Sequence, residues 1–145
     1  MSIFMKHGDV TGGVAETPRM GWADVLNVSL GIDHDASTAT GSLAGAAIYD
    51  GYQVLRLADT ATPQLMAMAS NGMQVDQVEF VFRKADANGL DADVYTFTFE
   101  GVVIKSIHLD FEDGRYVEQM TCLFKKIDIT HLPSGVGFGD VIAEY

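Results

Sequence analysis

Between residues 77 and 100, apolar and polar side chains alternate with a period of two. Val78, Phe80 and Phe82 stand against Gln77, Glu79 and Arg83, and Tyr95, Phe97 and Phe99 against Thr96, Thr98 and Glu100. Only an extended strand puts every second residue on one face, so this stretch predicts two β-strands, each with one buried face. The dipeptide Asn88-Gly89 between them suits a tight reversal, and the pair reads as a hairpin. A lone hairpin cannot cover its own apolar face, so further strands must pack against it.

The rest of the chain supplies them. Residues 2–7 read as a short strand ending in a glycine-bracketed turn, Gly8 to Gly13. In the run 20–32, Trp22, Leu26, Val28, Leu30 and Ile32 share one parity, which predicts one strand with a greasy face and a small, polar one. Residues 33–47 read as a loop leading into a hairpin around Asp50-Gly51. Thr62-Pro63, with Gly72 beyond, predicts one helix, capped by the threonine and able to lay Leu65, Met66, Met68 and Ala69 on the sheet. Gly101 predicts a bulge in a long strand that ends near Asp110, and Asp113-Gly114 a return into residues 116–129, where Lys125-Lys126 shifts the register. After Pro133 the chain is glycine-rich and reads as a mobile or partner-bound tail.

A chain of 145 residues with 48% apolar and 20% charged residues sustains one core. The expected organisation is a barrel domain over 1–132 and a tail over 133–145. The expected fold is all-β with one short helix, a barrel or a tightly closed sandwich, because long bulged strands without closure would leave edges needing a covering partner. Nine Lys and Arg against twenty Asp and Glu leave a net charge of −11, which argues against nucleic acid and anionic membranes as partners. The single cysteine, Cys122, permits no intrachain disulfide. The first residues carry no apolar stretch of signal-peptide length, so no cleavable export signal is expected.

Catalytic motifs are missing where they would be looked for. Gly8 to Gly13 lacks the lysine of a phosphate loop, and no G-x-S-x-G elbow occurs. His7, His34, His108 and His131 stand singly, without metal-ligand spacing, and Asp33-His34-Asp35 reads as an exposed polar loop. No catalytic, cofactor-binding or metal-binding residue is therefore expected, and the chain is not read as an enzyme. Three rivals remain. One is a monomeric β-barrel module for a small ligand or carbohydrate, with Trp22, Tyr95 and Tyr116 as stacking platforms. The others are a hydrolase with an undetected site and a phage-type tail-tube subunit.

Five stretches in order carry a resemblance: Gly8-Asp9-Val10-Thr11-Gly12, the run Ala23 to Gly31, Thr62-Pro63-Gln64-Leu65-Met66, Phe80-Val81-Phe82-Arg83-Lys84-Ala85, and Cys122-Leu123-Phe124-Lys125-Lys126-Ile127. Together they resemble the haemolysin-coregulated protein (Hcp) family over about residues 2 to 130. The resemblance implies a closed β-barrel of two antiparallel sheets with one short flanking α-helix, and hexameric rings of it stacked into the inner tube of a bacterial type VI secretion system, with effector proteins in the lumen and spike and sheath proteins as further partners. It also implies a protein made in the bacterial cytoplasm and secreted through the apparatus itself. On this reading Ala23, Val25, Asn27 and Ser29 face the lumen, and a hairpin with Tyr49, Asp50, Tyr52 and Arg56 forms the ring-stacking loop.

Overall fold

The computed structural model describes residues 2–15, 19–36 and 43–142. In chain order the elements are β1 (Ser2–His7), β2 (Ala23–Val25), β3 (Asn27–Ala36), β4 (Leu43–Leu57), α1 (Thr62–Asn71), β5 (Gln74–Ala85), β6 (Asp91–Glu112), β7 (Arg115–Leu123), β8 (Lys126–His131) and β9 (Val136–Val141). All strand pairs are antiparallel.

The expected closed barrel of two sheets does not form. Among the described residues nine strands make one sheet that runs β2-β1-β5-β6-β7-β4-β3, with β8 branching from β6 and β9 from β8, and its two ends carry no ladder to each other. The reason lies in two places. The 22-residue β6 belongs to both halves of the sheet, so there is no seam at which it becomes two. At the other side β2 and β3 are successive pieces of one run, separated by Leu26 alone, and such neighbours cannot turn back to pair with each other.

Along its first half β6 pairs β5 on one edge and β8 on the other, with Phe97 opposite both Phe80 and Ile129. At Gly101, φ +63°, the partner changes, and from Val103 to Glu112 the second edge is held by β7. The sheet folds over on itself at this point. Tyr52 of β4 then stacks on Phe99 of β6 at 4.2 Å between ring centroids and meets Phe80 of β5 edge-on at 5.4 Å. Such aromatic pairs each add about 1 kcal/mol beyond the area they bury. Val54, Val78, Val102, Met120, Cys122 and Ile127 complete the core around them.

The helix forms where expected but is not capped as expected. Ala61 occupies the N-cap position without a side-chain cap, and Gly72 ends the helix in the left-handed conformation, with the Gly72 and Met73 amides returning to the Ala69 and Met68 carbonyls. Leu65 is buried and Met66 is exposed, so the apolar stripe is narrower than the sequence suggests.

Three further expectations are corrected. The run 20–32 is two strands, because the chain bends at Leu26, whose amide bonds the Leu55 carbonyl. The presumed loop 33–47 and the hairpin at Asp50-Gly51 give way to two long strands, β3 and β4, with residues 37–42 outside those described. Asp50-Gly51 lies within β4, opposite a register shift between Leu30 and Ile32, and makes a bulge instead of a reversal. The stretch 136–141, expected to belong to a mobile or partner-bound tail, is β9.

Gly51 sits in this bulge at φ +86°, and a Cβ there would come within 2.2 Å of the Cys122 carbonyl oxygen on β7. Gly51→Ala is therefore expected to cost about 3 kcal/mol or more through strain and displaced pairing, read as a lower urea midpoint with an unchanged m-value.

Candidate functional site

The strands β3, β4, β7 and the second half of β6 form a four-stranded wall. Its inward rows, such as Val28–Val54–Met120–Ile107, build the core, so the alternate residues must point outward. Two outward rows run across all four strands: Ser29–Gln53–Thr121–Ser106 and Asn27–Leu55–Gln119–His108. Asn27, Ser29, Gln53, His108 and Gln119 are exposed, and Leu55, Thr121 and Ser106 half-buried. Asn27, Ser29, Gln53, Leu55, His108, Gln119 and Thr121 line a shallow cleft of about 230 Å³. Apart from the imidazole of His108, neither row holds an acidic or basic side chain.

The four residues expected to share one face are divided by the bend at Leu26. Ala23 and Val25 on β2 are buried in the core, whereas Asn27 and Ser29 on β3 face outward. The residues expected in a stacking hairpin are divided as well. Asp50 is exposed and Tyr49 half-buried, while Tyr52 and Arg56 lie wholly inside the protomer. The Tyr49 hydroxyl donates to Asp140 Oδ2 at 2.5 Å, tying β4 to β9. Burial, then this carboxylate, pushes its pKa up to about 12. Gln53, Gln119 and Thr121 carry no motif that singles them out in the sequence, and His108 is noted there only as a lone histidine, although the alternation in β7, with Met120 and Cys122 inward, already places Gln119 and Thr121 outward.

The wall has two free edges. Among the described residues β3 pairs β4 alone, which leaves its other edge open along Asn27–Ala36. On the opposite side, Val103 is the last residue of β6 that faces β5, so Ile104 to Glu112 pair β7 alone. Long unpaired edges invite pairing with another chain.

Behind the wall lies a buried polar cluster. Arg56 Nε donates to Glu118 Oε2, and both side chains are fully buried. Arg56 Nη2 reaches Asp59 Oδ1 at 2.9 Å and Thr62 Oγ1 at 3.3 Å. Thr62 donates to Glu118 Oε1 at 2.8 Å and accepts from the Asp59 amide at 3.0 Å. The threonine read as a helix cap thus joins α1 to β4 and β7. Burial pushes the Asp59 carboxyl up, but bonds from Arg56 and the Ala61 amide, with the Arg56 charge, hold it below its ordinary value.

His7, 2% exposed at the end of β1, lies near this cluster. Burial, then the charge of Arg56, lowers its pKa from 6.5 to about 4. The unfolded chain therefore binds a proton that the folded one refuses between these values. The resulting stability, of order 3 kcal/mol, is fully present above pH 6.5 and lost as pH falls towards 4. Asp59 titrates only below its unfolded value of 3.8, so the two windows separate. The urea midpoint is expected to fall between pH 7 and 4.5, and His7→Asn to remove most of that fall.

Among the described residues no group of three or more His, Cys, Asp or Glu is placed to hold a metal ion, and no helix is long and apolar enough to cross a membrane. The side chains of His34 and Asp35 lie outside the described residues. Trp22 is half-buried beneath the Arg19 guanidinium, Tyr95 lies near the start of β6, and Tyr116 lies on β7 opposite Phe111 at the far end of β6, so the three aromatics make no common platform.

Residues 4–131 match the family model described as type VI secretion system effector, Hcp. Solved structures agree in fold. A crystal structure of an Hcp protein superposes with a TM-score of 0.91 at 15% identity, covering 99% of both chains. The Hcp1 protein of E. coli EAEC 042 gives 0.86 at 20% identity, over 97% of this chain and 96% of that one. A type VI secretion system effector from Yersinia pestis gives 0.80 at 19%, over 97% and 99%. No curated protein matches the sequence.

Proposed function

The chain belongs to the type VI secretion system effector family Hcp, and on that premise we propose that it is the non-catalytic repeating subunit of the secretion tube. Six copies close into a ring, rings stack, and effector proteins travel in the lumen. The observation that carries this reading is the pair of free edges on the wall, β3 on one side and Ile104 to Glu112 of β6 on the other. A contact between two different edges is heterologous, and repeated with a rotation that closes it makes a ring. An open sheet serves this purpose where a closed barrel would not.

In the ring the outward rows of the wall face the lumen. Asn27 and Ser29 contribute directly, and Ala23 and Val25 anchor the same run to the core. Asp50 stands at the stacking end, with Tyr49, Tyr52 and Arg56 holding β4 behind it. Spike and sheath proteins are the remaining partners, and the protein leaves the bacterial cytoplasm through the apparatus. A ring of six carries about −66 formal charges, six times −11, and at a Debye length of about 8 Å neighbouring rings still repel. Free rings therefore stay dispersed until the apparatus aligns them.

Size exclusion with light scattering tests the reading. A particle of about 94 kDa, six times the 15.7 kDa chain, ring-shaped in negative stain, is expected. A clean 15.7 kDa monomer across micromolar concentrations would remove the tube function.

A further inference from the structure

Phe4 of β1 and Val81 of β5 lie opposite each other on the face of the sheet turned away from the core, since their neighbours Met5 and Phe80 point into it. Yet Phe4 is only 7% and Val81 only 3% exposed, and neither belongs to the main core. Their cover is the connection between β1 and β2. In the strand order β2-β1-β5-β6, Arg19 of this connection donates from Nη2 to Asp93 Oδ2 on β6 at 2.8 Å. Three strand spacings of about 4.8 Å separate β2 from β6, more than an arginine side chain spans, so the chain itself passes over β1 and β5. Asp93 also accepts from Arg83 Nε at 3.1 Å, and the Arg83 guanidinium lies 5.6 Å from the centre of the Phe4 ring, which puts the crossing on the outer face. Val14 of the crossing segment is buried as well, again outside the main core.

The segment closes its backbone bonds largely on itself. The Gly12 and Val14 amides donate to the Gly21 and Trp22 carbonyls, and the Gly21 amide donates to the Val14 carbonyl. It is fastened to the rest at two ends, by Arg19 on Asp93 and by the Gly13 amide on Asp59 Oδ2 at 3.2 Å. We propose that residues 11–15 and 19–22 form a strap that lifts as one unit from the outer face, with Arg19 and Asp93 as its latch. Val10 and Ala23, both held in the main core, are its hinges. Lifting breaks no strand ladder and takes no residue out of the main core, so the sheet beneath stays paired. The latch partners are both half-buried, where water competes for them. Closed, the strap presents the guanidinium and carboxylate groups of Arg19 and Asp93 on this face. Open, it presents Phe4 and Val81.

Thiol labelling of the intact protein tests the strap. The chain has a single cysteine, Cys122, fully buried in the main core, which can react only when the sheet opens. Val81→Cys places a second thiol under the strap. With an aromatic disulfide reagent the thiol at position 81 is expected to react at least about tenfold faster than Cys122, because the strap opens at lower free energy than the sheet. Arg19→Gln removes the latch charge and its contact with the Trp22 ring, and should speed labelling at position 81 by about fivefold while leaving Cys122 unchanged. Hydrogen exchange on the unsubstituted chain reads the same opening. The Gly12, Val14 and Gly21 amides should share one exchange free energy, below that of the β5–β6 ladder. Should Val81→Cys itself loosen the sheet, seen as faster Cys122 labelling than in the parent chain, the exchange result decides. With Cys122 as slow as in the parent, a common rate for the two thiols would overturn the proposal. So would immediate reaction at position 81, an equal response or none of the two thiols to Arg19→Gln, or three amides that exchange independently.

Discussion

Proline introduced into β3 at positions whose amide points away from β4 is expected to convert the proposed ring of about 94 kDa, six times the chain mass, into 15.7 kDa monomers that keep their fold. Successive amides along a strand point alternately to its two neighbours, so proline at Asn27, Val28, Ser29 and Leu30 in turn should divide into two classes. In one class the ladder to β4 loses a bond and the fold weakens. In the other only the free edge loses a donor, and proline there blocks the approach of a neighbouring strand. The distinction is read by combining light scattering with thermal melting. Because the contact joins unlike edges, a second experiment follows. A protomer disabled along β3 still offers the β6 edge, and one disabled along residues 104–112 still offers β3. Mixed, the two should form a dimer of about 31 kDa, twice the chain mass, and nothing larger. Rings recovered from either variant alone would show that the edges are not the contact.

Arg56→Met is expected to cost about 3–5 kcal/mol, because it leaves Glu118 buried without its charge partner. Thr62 still donates to Glu118, but a hydroxyl does not neutralise a carboxylate. A domain of this kind has roughly 5–15 kcal/mol to lose, so the single variant should be marginal at physiological temperature. The double variant Arg56→Met, Glu118→Leu removes both charges and should regain most of the loss, since an apolar pair of similar volume often equals or exceeds a buried ion pair. Urea unfolding of the two singles and the double gives the coupling energy directly. A double variant no more stable than Arg56→Met would place the contribution in Arg56's bonds to Asp59 and Thr62 instead.

The β5–β6 hairpin was legible because local and long-range preferences agree there: alternation, aromatic faces and Asn88-Gly89 all favour the same pairing. Gly101 and Lys125-Lys126 were legible as irregularities, though not as the place where β6 exchanges one partner for another. Asp50-Gly51 misled because the dipeptide favours reversal only when nothing else claims the strand. Here Gln53 and Tyr52 pair β3 on one side and β7 on the other. The strand β9 was hidden by the residues that permit it. A Cβ at Gly139 would lie 2.5 Å from Asp128 Oδ1, so what looks like linker composition is the clearance that lets β9 approach β8. Of the four residues expected on one face, Asn27 and Ser29 do point outward, as parity implies. The bend at Leu26, which sends Ala23 and Val25 inward, has no sequence signal that parity detects.

The continuity of β6 through both halves of the sheet has a mechanical consequence. Force applied to the wall along its strands enters the outer half through an unbroken covalent chain, not across an interface of side chains that could slide. At the bend the load then spreads over the ladders to β5 and β8 on both flanks, which resist it in shear with many hydrogen bonds loaded at once. A subunit built in this way yields as a whole or not at all, which suits a wall driven end-on by its neighbours.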